Sequence, residues 1–155
     1  MTISKQELVD GIRFAGQRAA AALDHVQEFD YQLGHQWTTA DAFRHVAQTA
    51  GGLSSFWPAL ENTERLSQVG IDAMASSNAN NIEKLGEKSR DELRQMILDG
   101  AEASAAFAET LDEDDLATVV TLGGYVMPKG ELAAQIWIHH QIAHSYEASA
   151  RWPIL

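Results

Sequence analysis

The chain has no cysteine among its 155 residues. That excludes disulfides, thiolate metal sites and a cysteine nucleophile together, and leaves any thiol chemistry to a thiol brought by another molecule. Basic residues are few: 11 Lys and Arg against 22 Asp and Glu give a formal net charge of −11. They stand singly, with no stripe able to neutralise a run of phosphates, so neither nucleic acid nor an anionic membrane surface is expected as a partner. The excess negative charge repels anionic ligands at long range, and an anionic substrate would need a local cation, a role open to a bound metal. No apolar run reaches the roughly 18 residues of a membrane span, and Met1 to Asp10 lack a basic segment leading into an apolar one. A cytoplasmic protein is expected. Also missing are GxGxxG, a Walker loop, GxSxG around Ser54 or Ser55, HExxH, and the ExxH pair of di-iron bundles.

What is present is an ordinary globular composition, 45% apolar and 21% charged, long enough for one domain over residues 1–155 to bury a full core. Ser4 with Glu7 reads as a capping box, and Leu8, Ile12, Ala15, Ala19, Ala22, Val26 and Phe29 follow at helical steps, predicting a helix that ends near Gly34. Thr38-Thr39-Ala40-Asp41 opens a second, with Ala42, Val46, Thr49, Leu53, Phe56 and Leu60 on its stripe and an end or kink near Pro58. Residues 61–88 read as loop through Asn62, Ser76-Ser77-Asn78, Asn80-Asn81 and Gly86, with Leu66, Val69, Ile71 and Met74 able to form a short helix. Ser89 and Glu92 box a third long helix carrying Leu93, Ile97, Gly100, Ser104, Phe107 and Leu111; its alanines imply a close neighbour, either within the core or in a second copy. The acidic run 112–115 reads as a solvated loop. A small hairpin turning at Gly123-Gly124 follows, then a last helix from Pro128-Lys129 with Leu132, Ile136, Ala143 and Ala150 on one stripe, breaking at Trp152-Pro153. The expected fold is all-α: a four-helix bundle with a long crossover and a small hairpin before the last helix.

With the standard motifs absent, chemistry falls to six histidines. His140 and His144 are one turn apart on a helix, so two imidazoles can meet one ion at metal–nitrogen distances of about 2.0–2.1 Å. His139 points to another sector, roughly 100° away. A third ligand from another element makes a facial trio with open positions. His45, flanking the Val46/Thr49/Leu53 stripe, is the candidate, its alternative being a hydrogen-bonded core histidine. His25 and His35 read as surface or loop residues. Asp41 is four residues before His45, but its place in the capping box makes capping its expected job. Gly51 and Gly52 imply close helix packing. Trp37, Trp57, Trp137 and Tyr125 read as core or as the lining of an apolar pocket. Glu147, one turn past His144, is placed to orient that ring.

The stretch Trp37-Thr-Thr-Ala-Asp41-Ala-Phe-Arg-His45-Val-Ala resembles the start of the second helix of DinB/YfiT-like proteins, including the N-terminal domain of mycothiol-dependent maleylpyruvate isomerases, and His140-Gln-Ile-Ala-His144 resembles their second ligand pair. The resemblance implies a bundle of that type holding a divalent ion, zinc or nickel, on His45, His140 and His144. It implies a metal-dependent enzyme acting on a small-molecule substrate, by transfer or isomerisation with a low-molecular-weight thiol such as mycothiol or bacillithiol, or by hydrolysis. It also implies a homodimer. The mycothiol enzymes carry a further C-terminal domain, so a substrate site without that domain's share, or one completed by another subunit, is expected here. The competing expectations are a non-catalytic bundle binding an apolar ligand or a stress partner, its pocket lined by Trp37, Trp57 and Tyr125, and a metal store or sensor.

Overall fold

Three helices begin on the same device. Ser4, Thr38 and Ser89 each accept a hydrogen bond from the backbone N–H three residues on, while Glu7, Asp41 and Glu92 reach back to the cap's own N–H. These reciprocal bonds satisfy donors that a helix start otherwise leaves open, and all three are the boxes read in the sequence. In the computed structural model, which describes residues 3–34, 37–62, 64, 68 and 70–152, they start α1 (Lys5–His25), α2 (Thr39–Ala50) and α5 (Arg90–Glu109). The described residues are mostly helical, with one two-stranded hairpin.

α1 stops at His25, not near Gly34, because its last carbonyls are taken by a side chain far along the chain. The Arg90 guanidinium donates to Leu23 O and to Val26 O, the latter at 2.7 Å, and lies over the Phe29 ring. A cation on the terminal carbonyls favours a helix end there. Val26 and Phe29 still pack in the core, but from an extended segment whose Phe29 and Tyr31 carbonyls receive the Ala40 and Thr39 N–H groups. His25 is therefore a helix-end residue; His35 and the segment's residue 36 lie outside the described residues.

α2 is shorter than its stripe. It breaks at Gly51-Gly52, and Leu53–Phe56 with the 3₁₀ turn Trp57–Glu61 forms a separate α3. Gly100 of α5 comes against this break: a Cβ there would stand 2.8 Å from Gly51 N and 2.9 Å from Ala50 Cβ, so backbone meets backbone at a distance only glycine allows. Close packing was the expected use of this glycine pair.

Residues 71–85, expected to be loop beyond a short helix, form α4 (Ile71–Leu85), ending at Gly86 with φ +69°. Leu66 and Val69 lie outside the described residues. From Met74 to Leu85 of α4 only Ile82 is buried; Asn78, Asn81 and Leu85 are half-buried on the same side, and Ser76, Ser77 and Asn80 face solvent. Asparagines thus occupy half of the stripe that apolar residues would reveal. α4 packs on α2.

Three of the five alanines of α5 face inward, while Ala103 and Ala106 are exposed. Ala101, Ala105 and Ala108 are buried, and a Cβ on Gly16 of α1 would come 2.3 Å from Ala101 Cβ. The close neighbour is therefore α1, and this face is spent within the chain. The acidic run is not a loop: Asp112 caps α6 (Glu113–Ala117), whose Asp115 accepts from Trp57 Nε1 at 2.7 Å and from the buried Lys129 Nζ at 2.8 Å. β1 (Val119–Leu122) pairs antiparallel with β2 (Tyr125–Pro128), and Gly123 and Gly124 at φ +55° and +86° make the two-residue turn.

α7 is one continuous helix in three parts: Lys129–Ala134, a π-helical turn Gln135–His139 closed by the His140 N–H bond to Gln135 O, and His140–Ser149. A turn closed over five residues holds one more residue than an α turn, so the stripe shifts phase. Ala143 and Ala150 are exposed, and the buried line runs Leu132, Ala133, Trp137, Gln141, Ser145, Ala148. α1 and α2 each lie against both α5 and α7. One core cluster gathers Leu8, Ile12, Leu53, Trp57, Leu116 and Trp137 towards the hairpin; the other gathers Leu23, Phe43, Val46, Leu93, Ile97 and Trp152 at the opposite end.

Candidate metal centre

His45 sits two turns into α2, between Phe43 and Val46, which are fully buried, and is itself 1% exposed. His140 is the first residue after the π turn of α7, and His144 follows one turn later. The packing of α2 on α7 brings the three together. Ring centroids are 4.9 Å apart for His45 and His140, 5.0 Å for His45 and His144 and 4.5 Å for His140 and His144, each pair nearly perpendicular. The Nε2 atoms of His45 and His140 are 3.0 Å apart, and one nitrogen from each of the three rings lies within 4.8 Å of the other two. His144 Nδ1 is 3.3 Å from Glu147 Oε2, as the spacing predicted, which turns its Nε2 away from the carboxylate. The Trp37 ring covers one flank, 4.9 Å from His45 and 5.6 Å from His144.

The electrostatics favour neutral rings. Burial, reinforced by the neighbouring His140 and His144, pushes the His45 pKa down to about 3. Burial and then His144 push His140 down to about 4. At neutral pH both are in the form that offers a lone pair. Nδ1 of His45 and Nδ1 of His140 are buried without a hydrogen-bond partner. A polar cluster with orphaned nitrogens and no opposing charge among its buried members is costly as an element of a core. The donor set fits a divalent cation: three imidazoles, two of them with nitrogens separated by a distance that bonds of about 2.0–2.1 Å to one ion span.

Residues that the sequence did not single out hold α2 against α7 beside these rings. Thr49 Oγ1 donates to His45 O at 2.9 Å and accepts from Gln141 Nε2 at 2.7 Å, and Trp137 Nε1 donates to Thr49 O at 3.0 Å. Gln141, 3% exposed, keeps a buried Oε1 without a partner. The available signal was polarity at stripe positions, Thr49 one turn after His45 and Gln141 next to His140.

The other candidates separate. Asp41 is spent on the Thr38 cap and on Arg44, 2.9 Å away. His139 is exposed, and His25 lines a different groove. Trp57 and Trp137 are buried in the hairpin-side core, Trp37 packs with the other cluster, and Tyr125 is exposed on β2. The expected apolar pocket of Trp37, Trp57 and Tyr125 is therefore not formed. An open cavity of about 380 Å³ lies between α2 and α4, with Trp37, Arg44, Ile82 and Glu83 in its wall; Trp37 stands between it and the histidines, none of which lines it.

Compared with models of known protein families and with curated proteins, the chain matches none.

Proposed function

We propose that His45, His140 and His144 hold a divalent ion, zinc or nickel, and that the chain is a metal-dependent enzyme of the DinB/YfiT-like type. In this reading α1, α2, α5 and α7 are the four bundle helices and α4 belongs to the crossover. The reaction is a thiol-dependent transfer or isomerisation, or a hydrolysis, of a small molecule. The observation that carries this reading is the convergence of three imidazoles from two helices, two of them kept neutral by burial.

Such an ion, when bound, lowers the pKa of a coordinated thiol or water and so supplies a nucleophile at neutral pH. The chain's own residues do the rest. Glu147 accepts from His144 Nδ1 and fixes that ring's rotation. The Thr49–Gln141 bond locks α2 against α7 so that His45 faces His140. Trp37 shields the flank from water, and the cavity between α2 and α4 opens beside it for a substrate. Without a cysteine in the chain, the thiol is a cofactor. A homodimer in this reading uses a face other than the buried alanines of α5.

The test is elemental mass spectrometry on untagged protein, alongside His45→Ala and His140→Ala. About one divalent ion per chain, lost in both variants, is expected. No metal after incubation with zinc or nickel, or full occupancy in the variants, overturns the assignment. Turnover of thiol conjugates by the loaded protein then separates transfer from hydrolysis.

A further inference from the structure

On the face of α7 turned away from the histidines lies a second concavity. At roughly 100° per residue, Ile142, Tyr146 and Ser149 project opposite His140 and His144, and with α1 they wall a groove of about 340 Å³. Its floor is apolar, with Ala22 and Ile142 among its residues, and no carboxylate lines it among the described residues. That is unusual on a chain with 22 acidic residues against 11 basic ones.

Arg18, Tyr146 and the Trp152 indole are the unspent donors around the groove, which His25, Ser145 and Ser149 also line. Arg18, an exposed residue, has neither a carboxylate, a carbonyl nor a ring partner among the described residues. The other described arginines are all engaged: Arg13 with Glu102 and Glu109, Arg44 with Asp41, Arg90 with the Val26 carbonyl, Arg94 with Asp24 and Arg151 with the Tyr31 ring. The Trp152 indole, 7% exposed, has no acceptor among the described residues, whereas those of Trp57 and Trp137 donate to Asp115 and to Thr49 O. The Tyr146 phenol, on a residue 72% exposed, has no partner among the described residues either, while the Ser145 and Ser149 hydroxyls are used on backbone carbonyls. One guanidinium matches one negative charge and takes a carboxylate through two parallel N–H bonds. The indole and the apolar floor match a hydrophobic body. We propose that this groove binds a small organic monocarboxylate with an aromatic or branched apolar body, at a site separate from the metal centre.

The test is a calorimetric titration of the full chain with 3-phenylpropionate, 3-phenylpropan-1-ol and 3-phenylpropylamine, with and without added zinc. The carboxylate is expected to bind about tenfold or more tighter than the alcohol, with the amine weakest and with the same affinity in both metal states. Arg18→Gln should remove the preference for the carboxylate, and Ala22→Trp, which fills the groove, should remove binding of the carboxylate and the alcohol alike. Circular dichroism establishes that both variants fold, and Arg18→Gln alone decides the matter if Ala22→Trp does not. Equal binding of the three compounds, no binding, or affinity unchanged in Arg18→Gln overturns the proposal. So does binding that requires zinc, which assigns the carboxylate to the histidines. A change of oligomeric state in Arg18→Gln also overturns it, because the groove is then an interface between copies.

Discussion

α7 carries a buried polar cluster near each end, and the two are built on opposite plans. At its start Lys129 meets Asp115, which also receives the Trp57 indole, and the ammonium lies 5.4 Å from the centre of that ring. Charges of opposite sign offset, and both carboxylate oxygens have a donor. Burial raises the Asp115 pKa, but the bonds from Lys129 and Trp57 outweigh it and hold the carboxyl below its usual range. In the second half of the helix three like groups meet, two with orphaned nitrogens, and burial drives His45 and His140 towards neutrality. The first cluster is complete as it stands and fastens α6 to α7. The second leaves two buried Nδ1 atoms without a partner and joins two Nε2 atoms at 3.0 Å, where one ring donates to the other unless a cation stands between them, an arrangement that packing alone does not reward.

The sharpest way to break this contrast is Asp115→Ala, which strands a buried ammonium and the Trp57 N–H. A loss of about 3 kcal/mol is expected, or roughly 6–12 °C in Tm for a chain of this size, with zinc uptake unchanged. An unaltered Tm would show that the cluster contributes nothing to stability. Next is metal itself: zinc at about a hundredfold excess over its Kd should stabilise the native chain by about 2.7 kcal/mol and leave His140→Ala unmoved. The metal-free protein should also be acid-sensitive in a defined direction. Unfolded histidine binds protons below about pH 6.5, whereas folded His45 and His140 resist until about 3 and about 4. The unfolded state therefore binds more protons in that window, and stability falls as pH drops from 6.5 towards 4. Urea midpoints at pH 7.5, 6 and 5 measure this, and a flat series would contradict the burial of those rings. A smaller effect belongs to the bond between α2 and α7: Gln141→Leu should weaken zinc binding by about tenfold and alter the visible spectrum of the cobalt-substituted protein, neither of which a purely structural glutamine would change. Smallest is the cap, with Thr38→Ala costing about 1 kcal/mol by thermal melting.

Local features were legible in the sequence because their causes are local. Ser4, Thr38 and Ser89 sit three residues before their partners, Gly123-Gly124 can only be a tight turn, and His140 with His144 are neighbours on any helix. His45 became a candidate through its place beside a buried stripe. What escaped was decided at long range. Arg90 ends α1 from 67 residues away, Gly100 of α5 closes on α2 where that helix ends, and Lys129 ties Asp115 of the acidic run to α7. α4 hid because asparagines stand where apolar residues would mark its inner face. Thr49 and Gln141 hid because each is an ordinary polar residue until the other is opposite it.

The π turn at Gln135–His139 has a consequence for how this chain is compared with others. Its extra residue falls between the hairpin and the first histidine of the α7 pair. A protein that presents the same three rings from an uninterrupted α-helix needs one residue fewer in that interval. Aligning the two by sequence then requires a gap inside a helix, where alignments penalise gaps most. Superposition on the three imidazoles and the caps of α1 and α2, letting helix length vary, is the comparison suited to finding such proteins.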